Sequence, residues 1–193
     1  MEFLKYLWSR MYLAVMSAIA DRKVKSLIDA DFRAFCEWIG VECNARNRAR
    51  GFATHPELQS VVYARLTRKE RLLGRVAFKG QQCCFIQTSD IGPGLMLMHG
   101  FSLSLNAERI GRNAVVCQQV TIGYSQGARP VIGDNCTICC GAKIVGGVTI
   151  GDNVTVAAGA VVVHDVPSDS VVAGNPARVV ASNAGRRSTF PLE

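Results

Sequence analysis

Aliphatic residues recur every six positions through most of the second half of this chain. Every member of the series is Ile, Leu or Val, and the count slips once by one residue and once by four: Ile91, Leu97, Leu103, Ile110, Val116, Ile122, Ile132, Ile138, Ile144, Ile150, Val156 and Val162. On an α-helix, six residues advance about 240° beyond one full turn, so the series would point in three directions. Six is a multiple of the strand period of two, so every sixth residue of an extended chain can face the same way.

Small and turn-forming residues keep fixed places in the same repeat. Three positions after an aliphatic residue stand Asn or Gly, and four positions after it stand small residues, Cys136 and Ala142 among them. This pattern predicts a solenoid in which each short strand stacks on an equivalent strand one coil away. Cys136 and Cys139 form a C-x-x-C spacing, but zinc needs a second such pair or a matching His pair. The repeat therefore assigns both cysteines to packing, and no metal is expected.

The first 75 residues have a different periodicity, which is helical. One apolar stripe with i, i+3, i+4 spacing runs from Val24 to Ile39, and Gly40 follows as a helix stop. Thr54 and Glu57 have the spacing of a capping box, which predicts another helix start. We therefore predict a mainly β protein, with an α-helical N-terminal region over residues 1–75, a parallel β-helix over 76–180 and a basic C-terminal tail over 181–193.

Composition and charge exclude several classes of protein. Hydrophobic residues make up 49% of the chain and charged residues 19%, which is a globular profile. The net charge is +7, but Lys and Arg are dispersed, which favours a basic surface or attraction of an anionic ligand over nucleic-acid binding. No secretory signal accompanies the eight cysteines, so we expect reduced thiols and a cytoplasmic location. The longest uncharged N-terminal run, Met11–Ala20, is too short to span a bilayer, and peripheral membrane contact by this segment stays open.

The amino-acid sequence of the rungs resembles that of a known family. Ile132-Gly-Asp-Asn, Ile150-Gly-Asp-Asn-Val and Gly174-Asn-Pro-Ala-Arg are similar to the rungs of hexapeptide-repeat acyltransferases, which form left-handed β-helices. The segment Asp90–Gly100 resembles the histidine-bearing segment of serine acetyltransferases and of their relatives in surface-polysaccharide gene clusters. The resemblance implies a left-handed β-helix, an acetyl-CoA-dependent O-acetyltransferase, and a homotrimer whose active sites lie between neighbouring copies.

His99 is the catalytic residue that the resemblance implies. Acetyl transfer from a thioester to a hydroxyl needs a base, because the hydroxyl is a weak nucleophile until its proton is accepted. His99 matches the family base and is followed by Gly100, which allows close approach of a ligand. The other two histidines are expected to be structural or at the surface: His55 stands at a helix start, and His164 follows the last regular rung.

The resemblance also implies a donor site. In similar acyltransferases the pantetheine arm of CoA lies in a groove between β-helices, held largely by backbone groups. The matching positions in this chain are Cys140, Gly141 and Ala158, with Arg178 as a contact for phosphate or adenine. Small side chains suit this role, since an extended ligand must approach the backbone, although they also suit plain packing in the repeat.

The acceptor site departs from the serine acetyltransferase pattern at three positions. Met98 stands where that family has an acid directly before the histidine, Cys84 replaces an acid one rung earlier, and Arg129 replaces a second histidine in the loop Gly123–Pro130. These family residues are associated with holding serine and orienting the base. We therefore expect a sugar or saccharide hydroxyl as the acceptor, with free L-serine as the alternative.

Two further readings belong to other functional classes. A zinc hydratase built on the same β-helix would need three histidines around the metal, and the three in this chain do not have suitable rung positions. A non-catalytic scaffold stays open, because a fold alone does not determine a function.

Overall fold

A computed structural model describes residues 2–182 of the chain, and within that range the chain forms five helices and fifteen strands. The chain divides between Gln82 and Cys83 into two compact units, the first helical and the second a β-solenoid. The strands reach Ser182, so most of the predicted C-terminal tail, residues 183–193, lies outside the described part. Among residues 2–182, no helix has both the length and the apolar character that crossing a membrane requires.

The helical unit is built around an aromatic core. Its five helices are α1 (Glu2–Ile19), α2 (Arg22–Trp38), α3 (Ala45–Thr54), α4 (Pro56–Arg65) and α5 (Arg68–Arg75). Tyr12, Phe35, Phe52 and Tyr63 are buried together, and Phe52 contacts the rings of both tyrosines at centroid distances of 5.5 and 6.2 Å. The predicted apolar stripe is confirmed as the inner face of α2, which ends before Gly40 in a left-handed conformation.

The predicted capping box at Thr54 is wrong. Thr54 is the last residue of α3, and its hydroxyl donates to the carbonyl of Arg50 at 2.9 Å instead of capping a new helix. His55 holds the N-cap position of α4 without a side-chain capping bond, because Pro56 at the first helical position already fixes the backbone there. The capping box in this unit belongs to α5, where the amide and hydroxyl of Thr67 donate to Glu70 at 2.7 and 2.8 Å.

A buried ion pair joins α2 to α4. Nε and Nη2 of Arg65 donate to the two carboxylate oxygens of Asp31 at 2.9 and 3.0 Å, and the two side chains are 5% and 0% exposed. A carboxylate removed from water in this way is tolerated only when charged donors replace the lost hydration. The two-point geometry also fixes how the two helices are placed against each other.

The solenoid consists of three parallel sheets of very short strands, about five coils high. The strands are β1 (Cys84–Ile86), β2 (Asp90–Ile91), β3 (Met96–Met98), β4 (Leu103–Leu105), β5 (Arg109–Ile110), β6 (Val115–Cys117), β7 (Thr121–Gly123), β8 (Val131–Ile132), β9 (Thr137–Ile138), β10 (Lys143–Val145), β11 (Thr149–Ile150), β12 (Thr155–Val156), β13 (Val161–Val162), β14 (Ser170–Gly174) and β15 (Ala177–Ser182). Every third strand stacks, so β1, β4, β7, β10 and β13 form the first sheet, β2, β5, β8 and β11 the second, and the other strands the third. Only β15 is antiparallel to its neighbour, β14. The prediction of a left-handed β-helix preceded by helices is confirmed.

The aliphatic repeat fills the interior as predicted, and all twelve members are buried. The Gly-Asp-Asn sequences between the second and third sheets have a separate explanation. The amide of Asp134 donates to Asp152 of the next coil at 2.7 Å, and a Cβ on Gly133 would lie 2.5 Å from that carboxylate, so only glycine fits. Beside this row, the side chains of Asn113, Asn135, Asn153 and Asp169 form a hydrogen-bonded ladder with distances of 2.9–3.1 Å.

The ladder residues all have left-handed backbone, with φ between 53° and 57°. Asn and Asp tolerate this conformation better than most residues, because their short polar side chains can hydrogen-bond locally. One residue in each turn therefore does two things: it adopts the left-handed backbone of the turn, and its side chain forms a hydrogen bond to the next coil. Arg112 adds a bond at one end, where its guanidinium and its amide both donate to Asp134 and hold the pKa of that carboxyl below its usual value.

Breaking the buried ion pair should destabilise the helical unit. Arg65→Met leaves the Asp31 carboxylate buried without its guanidinium, and we expect the free energy of unfolding to fall by about 3–5 kcal/mol. Urea unfolding followed by far-UV circular dichroism measures this loss. Arg33→Met on the exposed side of α2 is the matched control, with an expected change within about 0.5 kcal/mol. Equal losses in the two variants would contradict the role of the pair.

Candidate active site

One edge of the solenoid collects most of the predicted site residues. At this edge, where the chain passes from the third sheet to the first, each coil makes one turn, and we call the stack of turns the histidine corner. It consists of Cys83, His99–Ser102, Gln118–Gln119, Cys140–Gly141 and Ala158–Gly159. Each turn contains at least one residue with left-handed backbone, and these residues have φ between 47° and 71°. Backbone bonds join the turns, from Gly141 to Gln118 at 3.1 Å and from Gly159 to Cys140 at 2.9 Å.

His99 protrudes from this corner on a two-residue bulge. Met98 pairs with Cys117 of the next coil, whereas the amide of Gln119 donates to the carbonyl of Phe101 at 3.0 Å. The His99 turn therefore has two residues more than the turn beneath it, and these two are His99 and Gly100. Both have positive φ, 60° and 47°, and the imidazole of His99 is exposed. Such sparsely populated backbone conformations cluster at functional sites.

The bulge corrects the register predicted for one rung. The sequence count makes Leu103 the equivalent of Ile122, but the structure pairs Leu105 with Ile122, which places Leu103 beside Val120. Leu103 therefore occupies the slot that small residues fill in other coils. The miscount arose because two irregularities lie next to each other. The rung from Leu97 to Leu105 is two residues longer than six, and the rung from Leu105 to Ile110 is one residue shorter. Together they lengthen the sequence by only one residue.

Two of the three predicted acceptor residues flank His99. Met98 is the last residue of β3 and is buried, while Cys84 begins β1 on the preceding coil and pairs with Leu103 just after the histidine turn. Both replace family acids with uncharged side chains. A substrate ammonium group beside His99 would therefore find no carboxylate at these two positions.

The predicted donor residues form a line along the same edge. Cys140 and Ala158 are two and three coils below the His99 turn, which is about 10 and 14 Å at the usual spacing of parallel strands. A Cβ on Gly159 would meet no atom within 4 Å, and one on Gly141 would reach only the backbone of Gly159 at 3.9 Å. The corner is therefore open below His99, and its backbone is accessible to an extended ligand.

Arg178 lies at the far end of this line. It pairs with Ala173 on β14, and the strand register carries that position on to Ala157 of β12, beside Ala158. The Arg178 side chain is exposed and lines a shallow cavity of about 230 Å³ together with His164 and Asp165. His99, Cys140, Ala158 and Arg178 thus follow one another along a single edge from the first coil to the last.

Arg129 is not brought to the histidine corner. It lies in the loop between β7 and β8, where the chain passes from the first sheet to the second. The loop forms a small hairpin in which Ser125 and Ala128 exchange backbone bonds of 3.0 and 3.1 Å, and its residues Tyr124 and Arg129 are exposed. Within one chain the three predicted acceptor residues are therefore divided between two edges. Another copy of the chain would have to bring this loop to His99, and the homotrimer stays a prediction.

The cysteines near the site have the properties of packed thiols. Burial raises the pKa of Cys117 to about 11 and that of Cys136 to about 12, so both are protonated near neutral pH. The Cys136 thiol donates to the carbonyl of Gly151 at 3.1 Å from inside the solenoid. All eight cysteines lie within residues 2–182, and no disulfide joins any of them. Over the same range, no group of His, Cys, Asp and Glu has the arrangement of a metal site.

Sequence reasoning missed two residues of the corner. Phe101 and Gln118 stack directly between the His99 bulge and Cys140, and Phe101 is exposed. Both belong to the line along which the donor site was predicted. The available signal was the 19-residue interval between Cys84 and Leu103, one more than the 18 of three regular rungs.

The chain is similar to known bacterial transferases and serine acetyltransferases. Residues 129–164 match the bacterial transferase hexapeptide family (six repeats). A serine acetyltransferase from Synechocystis sp. is 35% identical over 184 residues, which cover 88% of this chain and 72% of the relative. One from Staphylococcus xylosus is 41% identical over 104 residues, covering 51% of this chain and 48% of the relative.

Solved structures give the same result for the fold. A serine acetyltransferase from Neisseria gonorrhoeae, determined in complex with serine, has 28% identity and a TM-score of 0.64, covering 86% of this chain and 72% of that chain. The chain spans about half the length of several curated relatives that it matches, with coverage of 45–48%. The resemblance drawn from the rungs and the histidine segment is confirmed, and the chain belongs to the serine acetyltransferase family of hexapeptide-repeat proteins.

Proposed function

We propose that this chain is an O-acetyltransferase that transfers the acetyl group of acetyl-CoA to a hydroxyl, with His99 as the general base. The observation that carries the proposal is the exposed His99 bulge, which stands above two open turns of small residues, Cys140–Gly141 and Ala158–Gly159. Membership of the serine acetyltransferase family supports the same chemistry. L-Serine is the acceptor that this membership supports best.

The reaction requires one proton transfer in each direction. The imidazole of His99 accepts the proton of the acceptor hydroxyl as its oxygen attacks the thioester carbonyl. The tetrahedral intermediate then collapses and the carbon–sulfur bond breaks. The CoA thiolate leaves and accepts from His99 the proton that came from the acceptor hydroxyl. The exposed position of His99 on the bulge leaves space on its open side for both substrates.

The donor would lie along the histidine corner. Its thioester would be at His99, its pantetheine arm would pass Cys140 and Ala158, and its phosphates would reach Arg178. A solved serine acetyltransferase complex with CoA has the same fold, with a TM-score of 0.58 and 18% identity. A guanidinium suits the far end of the line, because it binds phosphate oxygens in a two-point geometry.

A saccharide hydroxyl is the second candidate acceptor, and one observation favours it. Met98 and Cys84 beside His99 are uncharged, and the loop position that resembles a family histidine is Arg129. Free serine carries an ammonium and a carboxylate, and without acids at positions 84 and 98 its ammonium would lose hydration that these two positions cannot replace. A neutral sugar avoids that cost. The relatives reported above are all serine acetyltransferases and lend this candidate no support.

Replacing the base should remove catalysis while leaving the backbone intact. Asn tolerates the left-handed conformation at position 99, so His99→Asn removes the proton acceptor with little strain. We expect kcat to fall by about 10²–10⁴, with a nearly unchanged Kd for CoA, measured by steady-state kinetics and calorimetry. Asp169→Asn, at another left-handed position of the solenoid, should keep full turnover. Full turnover of His99→Asn would remove His99 from the mechanism.

The acceptor is decided by direct competition. With acetyl-CoA as donor, we expect kcat/KM for L-serine to exceed that for each member of a panel of free sugars and oligosaccharides by at least about tenfold, the energy of one good charged hydrogen bond. Release of CoA, followed with a thiol reagent, measures both. A reversed ratio would establish the saccharide reading and leave the acetyltransferase proposal standing.

The donor line can be blocked at one residue. Ala158→Phe places a large ring on the open corner. We expect KM for acetyl-CoA to rise roughly tenfold or more, because the ring displaces the pantetheine arm from the backbone. Ala158→Ser is the matched control, since it stays small and should keep KM within about twofold. If the two variants have equal KM values, the donor does not follow this edge.

A further inference from the structure

The first helix exposes an apolar face that the core does not use. Its members share one side of α1 and are 42–73% exposed: Phe3, Leu4, Leu7, Trp8, Met11, Val15 and Ile19. We call them the apolar face of α1. A helix advances about 100° per residue, so they fall within an arc of about 160°. The opposite side, with Tyr12, Met16 and Ala20, is buried in the helical unit.

Basic residues border this face. On the helical projection Arg10 lies about 20° outside one edge of this face and Lys5 about 40° outside the other, and both are exposed. The first turns of α1 also line a groove of about 1000 Å³. Four cationic side chains line that groove, and its lining contains no Asp or Glu: Lys5, Arg46, Arg50 and Lys79. Phe3 belongs both to the groove and to the apolar face, so the two features adjoin.

Although Lys and Arg are spread along the sequence, the net positive charge of the protein lies in the helical unit. Residues 1–82 contain fifteen Lys and Arg against eight Asp and Glu, which gives +7, whereas residues 83–193 contain seven of each. Two of the acids, Asp29 and Asp31, are engaged by Arg48 and Arg65 within the unit. Each of these pairs is neutral, so the helical unit keeps its net charge of +7.

We propose that the apolar face of α1 and the adjoining cationic groove form a docking surface for an anionic phospholipid bilayer. Large apolar side chains on one face of a helix, with basic residues at its borders, are typical of helices that lie in the membrane interface. The groove binds lipid phosphates at the level of the head groups, and the apolar face enters the boundary of the acyl chains. A second copy of this chain fits less well, because two surfaces of the same positive charge repel each other.

Docking at a membrane is separate from acetyl transfer. Neither the apolar face nor the groove contains a residue assigned to the histidine corner, so loss of one activity need not affect the other.

Vesicle sedimentation tests the proposal. We expect the full chain to bind vesicles of phosphatidylcholine and phosphatidylglycerol in equal parts, and to be released by high salt or when phosphatidylcholine is used alone. Each basic side chain near an anionic surface contributes about fivefold in affinity. The double variant R46Q/R50Q should therefore bind anionic vesicles roughly 10- to 30-fold more weakly. R22Q with R33Q, on the exposed side of α2, removes the same charge and should change it by less than about threefold.

The apolar face has its own readout, because Trp8 and Trp38 are the two tryptophans of the chain. In a W38F background, fluorescence reports Trp8 alone, and anionic vesicles should shift its emission to the blue. L4S with W8S, made with Trp38 retained, should reduce vesicle binding at least roughly tenfold while circular dichroism stays unchanged. Absence of binding, or binding that ignores these substitutions, overturns the proposal. So does a result in which L4S with W8S changes the oligomeric state in sedimentation velocity without affecting vesicles.

Discussion

The stacking of identical turns is the constraint on which the solenoid depends. Its strands have two to six residues, too few to be stable as isolated hairpins. Each becomes stable because the strand above and the strand below satisfy its backbone bonds, while an aliphatic side chain of every rung is removed from water. The asparagine ladder from Asn113 to Asp169 repeats the same principle with side chains. A residue added to one turn must therefore be expelled from the stack, since it has no counterpart in the next coil.

The candidate active site is a direct consequence of that expulsion. His99 and Gly100 have no partners in the turn beneath them, so they leave the stack and expose an imidazole at the edge. Below them the turns are regular, and the two at Cys140–Gly141 and Ala158–Gly159 carry small residues that leave the backbone accessible. One irregularity on a regular scaffold thus exposes an imidazole above open turns, and the proposed base and donor path rest on this arrangement. The loop with Arg129 is a second irregularity, but it arises at another edge.

The helical unit is stabilised by contacts between residues far apart in the sequence, and the sequence was less informative there. The stripe on α2 was predicted correctly because its spacing is strongly helical. The capping box was assigned to Thr54 instead of Thr67, because both segments contain Thr with Glu three residues later, and only the path of the chain shows which Thr begins a helix. The partnership of Asp31 and Arg65 was also beyond prediction, since 34 residues separate them and nothing local marks the pair.

The sequence by itself determined the repeat, the β-helix and the burial of the aliphatic residues, because all of these are set by local periodicity. It also made His99 the candidate base, through the motif around it. The register at Leu103 and the two-residue bulge were decided by tertiary structure, since a hydrogen bond between coils, from Gln119 to Phe101, fixes which residues align. The same is true of the exposed side of α1. Its sequence is apolar on nearly all sides, and only packing against Phe52 and Tyr63 decides which side is buried and which faces outward.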